Sequence, residues 1–216
     1  MVQASGANRL RGWLCMNRCC LGERLGIFGG TFDPPHVGHL VCAVNVRHDL
    51  RLDRVLLVVN DLPWQKIGTR PITAAAQRLA MVEAAVADVD GLEASRIEID
   101  AGGLSYTADT LARLGAENPE AEFFVVLGAD AAAGLPTWER VDEVRERATI
   151  VVVERPGAAA VTPFEGFRWE SVEVPGLEVS STDLRARVID GRPLDYLVTR
   201  EVVEWISAHD LYQDPA

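Results

Sequence analysis

RLGIFGGTFDPPHVGH, residues 24–39, is the stretch that decides the fold of this 216-residue chain. Leu25–Phe28 is a short apolar run of strand length that stops at Gly29-Gly30. A proline-stiffened loop follows, and His36–Leu50 then carries a helical pattern. Strand, glycine turn and helix in that order form the first half of a βαβ unit. The alternation continues outward. Arg54–Val59 is a buried-type strand, and Thr73–Ala87 is alanine-rich and helical. Ile97 and Ile99 alternate with acids, which predicts a half-exposed strand, and Thr107–Leu114 predicts a helix. Phe123–Leu127 and Thr149–Val153 are further strands, Glu170–Val174 alternates weakly, and Thr182–Ile189 and Arg200–Ala208 close the chain as helices. This is the pattern of an α/β domain with a mainly parallel sheet and helices on both faces.

The length fits one domain, and 48% hydrophobic with 25% charged residues is ordinary globular composition, not disorder. Residues 24–216 read as that single domain, with a helical part at its C-terminus. Residues 1–23 mix Gly, Asn, Arg and Cys without period and read as a loose tail, a start at Met16 being the alternative. Arg18 and Glu23 interrupt any signal-peptide core there. No apolar run reaches the roughly 18 residues of a membrane span, so no membrane partner is expected. The net charge of −11 argues against nucleic acid, whose binding is largely phosphate neutralisation. Of 21 basic residues only Lys66 is a lysine. Four cysteines with no CxxC pair point to a reducing, cytoplasmic setting. Cys15, Cys19 and Cys20 lack a second cluster that would complete a metal site. A homo-oligomer is left open.

In parallel sheets ligands bind beyond the carboxyl ends of the strands, which directs attention to the segments after Phe28, Val59 and Leu127. The first has neither G-x-G-x-x-G nor the Walker pattern. It has two histidines three apart at a helix start, where His36 and His39 share a face. A helix N-terminus carries unpaired N–H groups and partial positive charge. Gly29 and Gly30 permit close approach of an anion, and Gly38 removes a side chain between the histidines. Together these form a phosphate cradle with two imidazole donors. A zinc set of His36, His39 and Cys42 is the competing reading, but three ligands on one straight helix converge poorly on a tetrahedral ion.

The string GGTFDPPHVGH resembles the signature of the HxGH nucleotidyltransferase superfamily and, in its longer form, the bacterial nicotinate-nucleotide adenylyltransferases. The resemblance spans about residues 24–212. It implies a Rossmann-like, doubly wound fold and transfer of AMP from ATP to nicotinate mononucleotide, giving deamido-NAD and pyrophosphate. Val179-Ser180-Ser181-Thr182-Asp183-Leu184-Arg185 is similar to the family's ISSTxIR. Ser180 with Asp183 also reads as a capping box, and the two readings are compatible. Ser105-Tyr106-Thr107-Ala108-Asp109-Thr110-Leu111 is similar to SYTxxTL, which lies along the nicotinate ring in the family. Gly128-Ala129-Asp130 and Leu135-Pro136-Thr137-Trp138 resemble the adenosine and ring-stacking segments.

The resemblance assigns His36, His39 and Arg185 to catalysis, and Gly29, Gly30, Thr31, Phe32, Gly38, Gly128, Asp130, Ser180, Ser181 and Thr182 to ATP. It assigns Asn60, Lys66, Tyr106, Thr107, Trp138 and Arg155 to the mononucleotide, Trp138 having a plain core position as its alternative. Mg²⁺ is expected to ride on ATP, with no protein metal ligand. The alternatives are another HxGH adenylyltransferase, taking nicotinamide mononucleotide or phosphopantetheine, and a non-catalytic nucleotide sensor.

Overall fold

The computed structural model describes residues 22–62, 72–154 and 165–213. Within them the order is β1 (Arg24–Gly30), α1 (Val37–Asp49), β2 (Arg54–Val59), α2 (Ala75–Val86), β3 (Leu92–Ser95), α3 (Ile97–Ala101) and α4 (Thr107–Glu117). Then come β4 (Glu122–Gly128), α5 (Ala129–Ala133), a 3-10 turn over Leu135–Thr137, α6 (Val141–Arg147), β5 (Ala148–Glu154), β6 (Trp169–Glu173), α7 (Ser181–Ile189) and α8 (Arg200–Ala208). The six strands form one sheet in the order β3-β2-β1-β4-β5-β6, and every pairing is parallel. This is the doubly wound Rossmann-like order, whose direction reverses between β1 and β4.

The central strands are apolar on both faces, and their alternation divides two cores. Val55, Leu57 and Val59 of β2, Phe124 and Val126 of β4, and Val151 and Val153 of β5 pack on the face covered by α1 and α2. Leu56 and Val58, Phe123, Val125 and Leu127, and Ile150 and Val152 pack on the opposite face with Ala108, Leu111 and Leu114 of α4. Each fully buried aliphatic side chain contributes about 1.5–3 kcal/mol, so the sheet interior supplies most of the stability. A third cluster joins Met81 and Ala85 of α2 to Leu184 of α7 and Val202 and Ile206 of α8. It fastens the C-terminal helices beside the sheet.

The strand expected around Ile97 and Ile99 is a helix. The edge strand on this side is β3, paired with β2 from Leu92 to Ser95, and Ile97–Ala101 forms the short α3. In a helix, residues two apart lie about 200° apart around the axis. In a strand Ile97 and Ile99 would share one face; in the helix they lie on opposite sides, Ile97 against one cluster and Ile99 against the other. The helices α5 and α6, five and seven residues long, are too short for the sequence periodicity to show. Of the tail assigned to residues 1–23, residues 1–21 lie outside the described residues. Glu23 joins the amino end of the central strand β1 to both its neighbours: its carboxylate accepts from Arg54 at 2.7 and 2.9 Å, and its carbonyl accepts from the Glu122 N–H at 2.8 Å.

Candidate active site

At the carboxyl end of β1 the chain turns sharply. Phe32 adopts a φ of 50°, in the left-handed region that non-glycine residues rarely occupy. Its ring folds back over Gly30, where an added Cβ would stand 2.7 Å from the Phe32 ring. Gly30 thus makes room for Phe32, whereas Gly29 faces open space and lines a pocket. A Cβ on Gly38 would lie 3.1 Å from the His36 ring, so the space between the histidines is filled by His36 itself.

His36 is the N-cap residue of α1, and its N–H donates to Nδ1 of His39 at 3.1 Å. An Nδ1 that accepts leaves the ring proton on Nε2, so His39 is held as an Nε2 donor. The two imidazoles stack at 3.6 Å between centroids, 24° from parallel. The edge-on ring of Phe32, 5.0 Å from His39, supports them. Backbone donors are fewer here than the sequence implied. The Val37 N–H donates to Leu197 O at 2.9 Å, and the His39 N–H donates to His36 O at 2.9 Å.

The C-terminal part completes this end of the site. Ser180 caps α7, accepting from the Asp183 N–H at 3.2 Å. Ser181 Oγ donates to Pro34 O at 2.8 Å, and Arg185 Nη1 donates to Asp33 O at 2.8 Å. Arg185 Nη2 also donates to Thr182 Oγ1 at 3.2 Å. Residues about 150 positions apart in sequence thereby face one another across the histidine loop. Thr31 is buried, and its carbonyl accepts from Arg78 Nη1 at 2.8 Å. Gly128 is the N-cap of α5, whose first turn carries the exposed Asp130.

A pocket opens between the ends of β1 and β4, at the point where the strand order reverses. Its walls include Asn60, Glu98, Tyr106, Thr107, Thr110 and Trp138. Trp138 packs partly against the core under α4 and also lines the pocket. Tyr106 is the N-cap of α4, and no side chain caps that helix start. The segment is tied to the loop after β2, since the Asp61 N–H donates to Ser105 Oγ at 3.1 Å and the Gly103 N–H donates to Asp61 Oδ2 at 2.9 Å. Lys66 and Arg155 lie outside the described residues.

Three residues that the sequence reading passed over hold the site. Arg78, 1% exposed, donates to the carbonyls of Thr73 at 2.7 Å, Thr31 at 2.8 Å and Asp61 at 3.0 Å. It pins the loops after β1 and β2 to the start of α2. Its signal was present: it sits on the same helical stripe as Met81, Val82 and Ala85. Glu98 is buried beside the pocket, and Asn60 and Thr110 both donate to it. Tyr212 donates its hydroxyl to Asp33 Oδ1 at 2.7 Å, and burial, then the Asp33 charge, pushes its phenol pKa well above the usual value.

Among the described residues no three His, Cys, Asp or Glu side chains converge in a way that could hold a metal ion. No helix among them is long and apolar enough to cross a membrane.

A stacked histidine pair on a glycine loop at the switch point of a parallel sheet defines a nucleotidyltransferase-type site, and the cytidylyltransferase-like family model matches residues 27–187. The chain belongs to that family. Within it, the chain belongs with the nicotinate-nucleotide adenylyltransferases. It is 45% identical over 192 residues to the "probable nicotinate-nucleotide adenylyltransferase" of Corynebacterium kroppenstedtii, covering 88% of this chain and 90% of that protein. It is 41% identical over 199 residues to the protein of the same name from Mycolicibacterium vanbaalenii, covering 88% and 92%. The fold is also that of the Plasmodium falciparum nicotinic acid mononucleotide adenylyltransferase complexed with NaAD, with a TM-score of 0.70 at 16% identity, covering 88% of this chain and 97% of that one.

Proposed function

We propose that this chain transfers AMP from ATP to nicotinate mononucleotide, forming deamido-NAD and pyrophosphate in NAD biosynthesis. The observation that carries this reading is the joining of two half-sites at one switch point: the histidine pair with Arg185, and the Trp138–Tyr106 pocket beside it. A mononucleotide phosphate oxygen attacks the α-phosphorus of ATP in line. The new P–O bond forms as the bond to the bridging oxygen breaks, and pyrophosphate departs with that electron pair. No protein nucleophile is required, so positioning and charge stabilisation supply the acceleration.

His39, held as an Nε2 donor, and the stacked His36 stabilise charge that builds on the α-phosphate and bridging oxygens. Arg185, held by its hydrogen bonds to Asp33 and Thr182, brings its positive charge to the leaving pyrophosphate. Gly29, Gly30, Thr31, Phe32 and Gly38 shape the ATP side with Ser180, Ser181 and Thr182, while Gly128 and Asp130 border the adenosine. Mg²⁺ carried on ATP would offset the triphosphate charge, through the phosphate oxygens and water that suit a hard cation.

The ring of the mononucleotide stacks on Trp138, and its carboxylate meets the uncapped start of α4 at Thr107. Asn60 borders the same pocket, and Lys66 and Arg155 bring positive charge to the mononucleotide phosphate. A cytoplasmic location follows from the sparse cysteines.

The test is pyrophosphate release with ATP and Mg²⁺, with nicotinate and nicotinamide mononucleotides offered separately. A hydrogen-bonded charge is worth about 1.5–3 kcal/mol, so the nicotinate form should be favoured at least about tenfold in kcat/KM. Equal rates would move the specificity to the pyridine nucleotides in general. Release with neither would move the reading to a phosphopantetheine acceptor or a sensor.

A further inference from the structure

We infer that Glu98 supplies the counter-charge for the cationic pyridinium ring of the mononucleotide. The inference rests on the functional reading above and extends it to a residue which that reading leaves without a role. Glu98 is 9% exposed and lines the same pocket as Trp138 and Tyr106. Thr110 Oγ1 donates to its Oε1 at 2.6 Å and Asn60 Nδ2 to its Oε2 at 2.7 Å. Two donors, one on each oxygen, fix the Glu98 carboxylate in place. A buried charge is costly unless paired, and among the described lining residues the only other ionisable acid or base besides Tyr106 is Glu139, also an acid. The described wall therefore carries negative charge and no cation.

That polarity is wrong for a bare carboxylate but right for a ring bearing a quaternary nitrogen. The nicotinate ring of a mononucleotide is such a zwitterion, positive at the ring nitrogen and negative at the carboxylate. The uncapped start of α4 faces the negative end. Glu98 and the π-face of Trp138 face the positive one. Product formation leaves the ring charge unchanged, so Glu98 contributes to binding of the mononucleotide and not to the chemical step.

The experiment measures binding and turnover in wild type and Glu98→Gln. It uses nicotinate mononucleotide and the C-ribosyl benzoate 5′-phosphate, which keeps the flat ring, carboxylate and phosphate but has no ring charge. The variant should bind nicotinate mononucleotide about tenfold more weakly, about 1.4 kcal/mol, with kcat and the KM for ATP within about twofold of wild type. Wild type should bind the neutral-ring analogue about tenfold more weakly than nicotinate mononucleotide, and the variant should lose nothing further on it. Equal losses on both ligands, or none on either, would overturn the inference. Should Glu98→Gln fail to fold, equal affinity of wild type for the two ligands would overturn it alone. Wild type that turns over nicotinate mononucleotide while the variant loses nothing refutes only the role of Glu98; wild type that releases no pyrophosphate refutes the functional reading itself.

Discussion

The two halves of the site are built by opposite means. At the phosphate end, groups converge from distant segments: Ser181 and Arg185 of α7 and Tyr212 beyond α8 all meet the loop Asp33–His36, whose His36 stacks on His39 of α1. At the ring end the walls come from nearer stretches of chain on either side of the switch point, and the described charges are carboxylates. Phosphates need hydrogen-bond donors held rigidly as charge builds, whereas a flat cationic ring needs an aromatic face and a fixed anion. The contrast predicts that damage at the first end falls on turnover and damage at the second on binding.

The largest break should come from His39→Ala. Removing one preorganised donor costs about 10²–10³ in kcat, and steady-state kinetics should show that loss with the KM for the mononucleotide little changed. Loss of the contact to the His36 N–H should cost only about 1 kcal/mol of stability, read from the melting curve. Near-normal turnover would end the mechanism proposed for the phosphate end.

Trp138→Ala sharpens the other side. An aromatic stacking contact is worth about 0.5–1.5 kcal/mol beyond its buried area, so the KM for the mononucleotide should rise about tenfold while that for ATP stays within about twofold. Equal losses on both substrates would make Trp138 a core residue and nothing more.

Tyr212→Phe is the mildest test, and it asks whether the far C-terminus steadies the phosphate loop. Loss of a hydrogen bond to a carboxylate should cost about 1.5–3 kcal/mol, with kcat reduced less than in His39→Ala. The pH dependence has a definite sign. The folded state holds this phenol above its ordinary value of 10.0, so as pH rises past 10.0 the unfolded chain loses a proton that the folded chain keeps. Wild type should therefore lose stability above that pH, and Tyr212→Phe should lose less of it in melts across the alkaline range. Parallel alkaline losses would show that Tyr212 is not the group responsible.

Much of this was legible residue by residue. Apolar runs such as Arg54–Val59 and Phe123–Leu127 are strands because they fill a sheet covered on both faces. Glu98 was hidden by a misread period. As a strand, Ile97–Ile99 would turn its glutamate outward, but as the helix α3 it turns Glu98 into the pocket wall. Three residues are too few to separate the two periods. Gly30 and Gly38 were legible as glycines, but not as room for the rings of Phe32 and His36. Their partners are fixed by a backbone turn.

The sequence by itself determined the parallel α/β sheet, the loop that carries the histidines and the family to which the chain belongs, since hydrophobic period and local motifs are properties of contiguous residues. Only the tertiary structure decided which donors remain available at α1, that Arg78 binds the two loops together, and that a buried carboxylate lines the ring pocket. Those outcomes depend on hydrogen bonds between residues tens of positions apart, and desolvation, which gives such bonds their weight, arises only once the sheet and helices have closed around them.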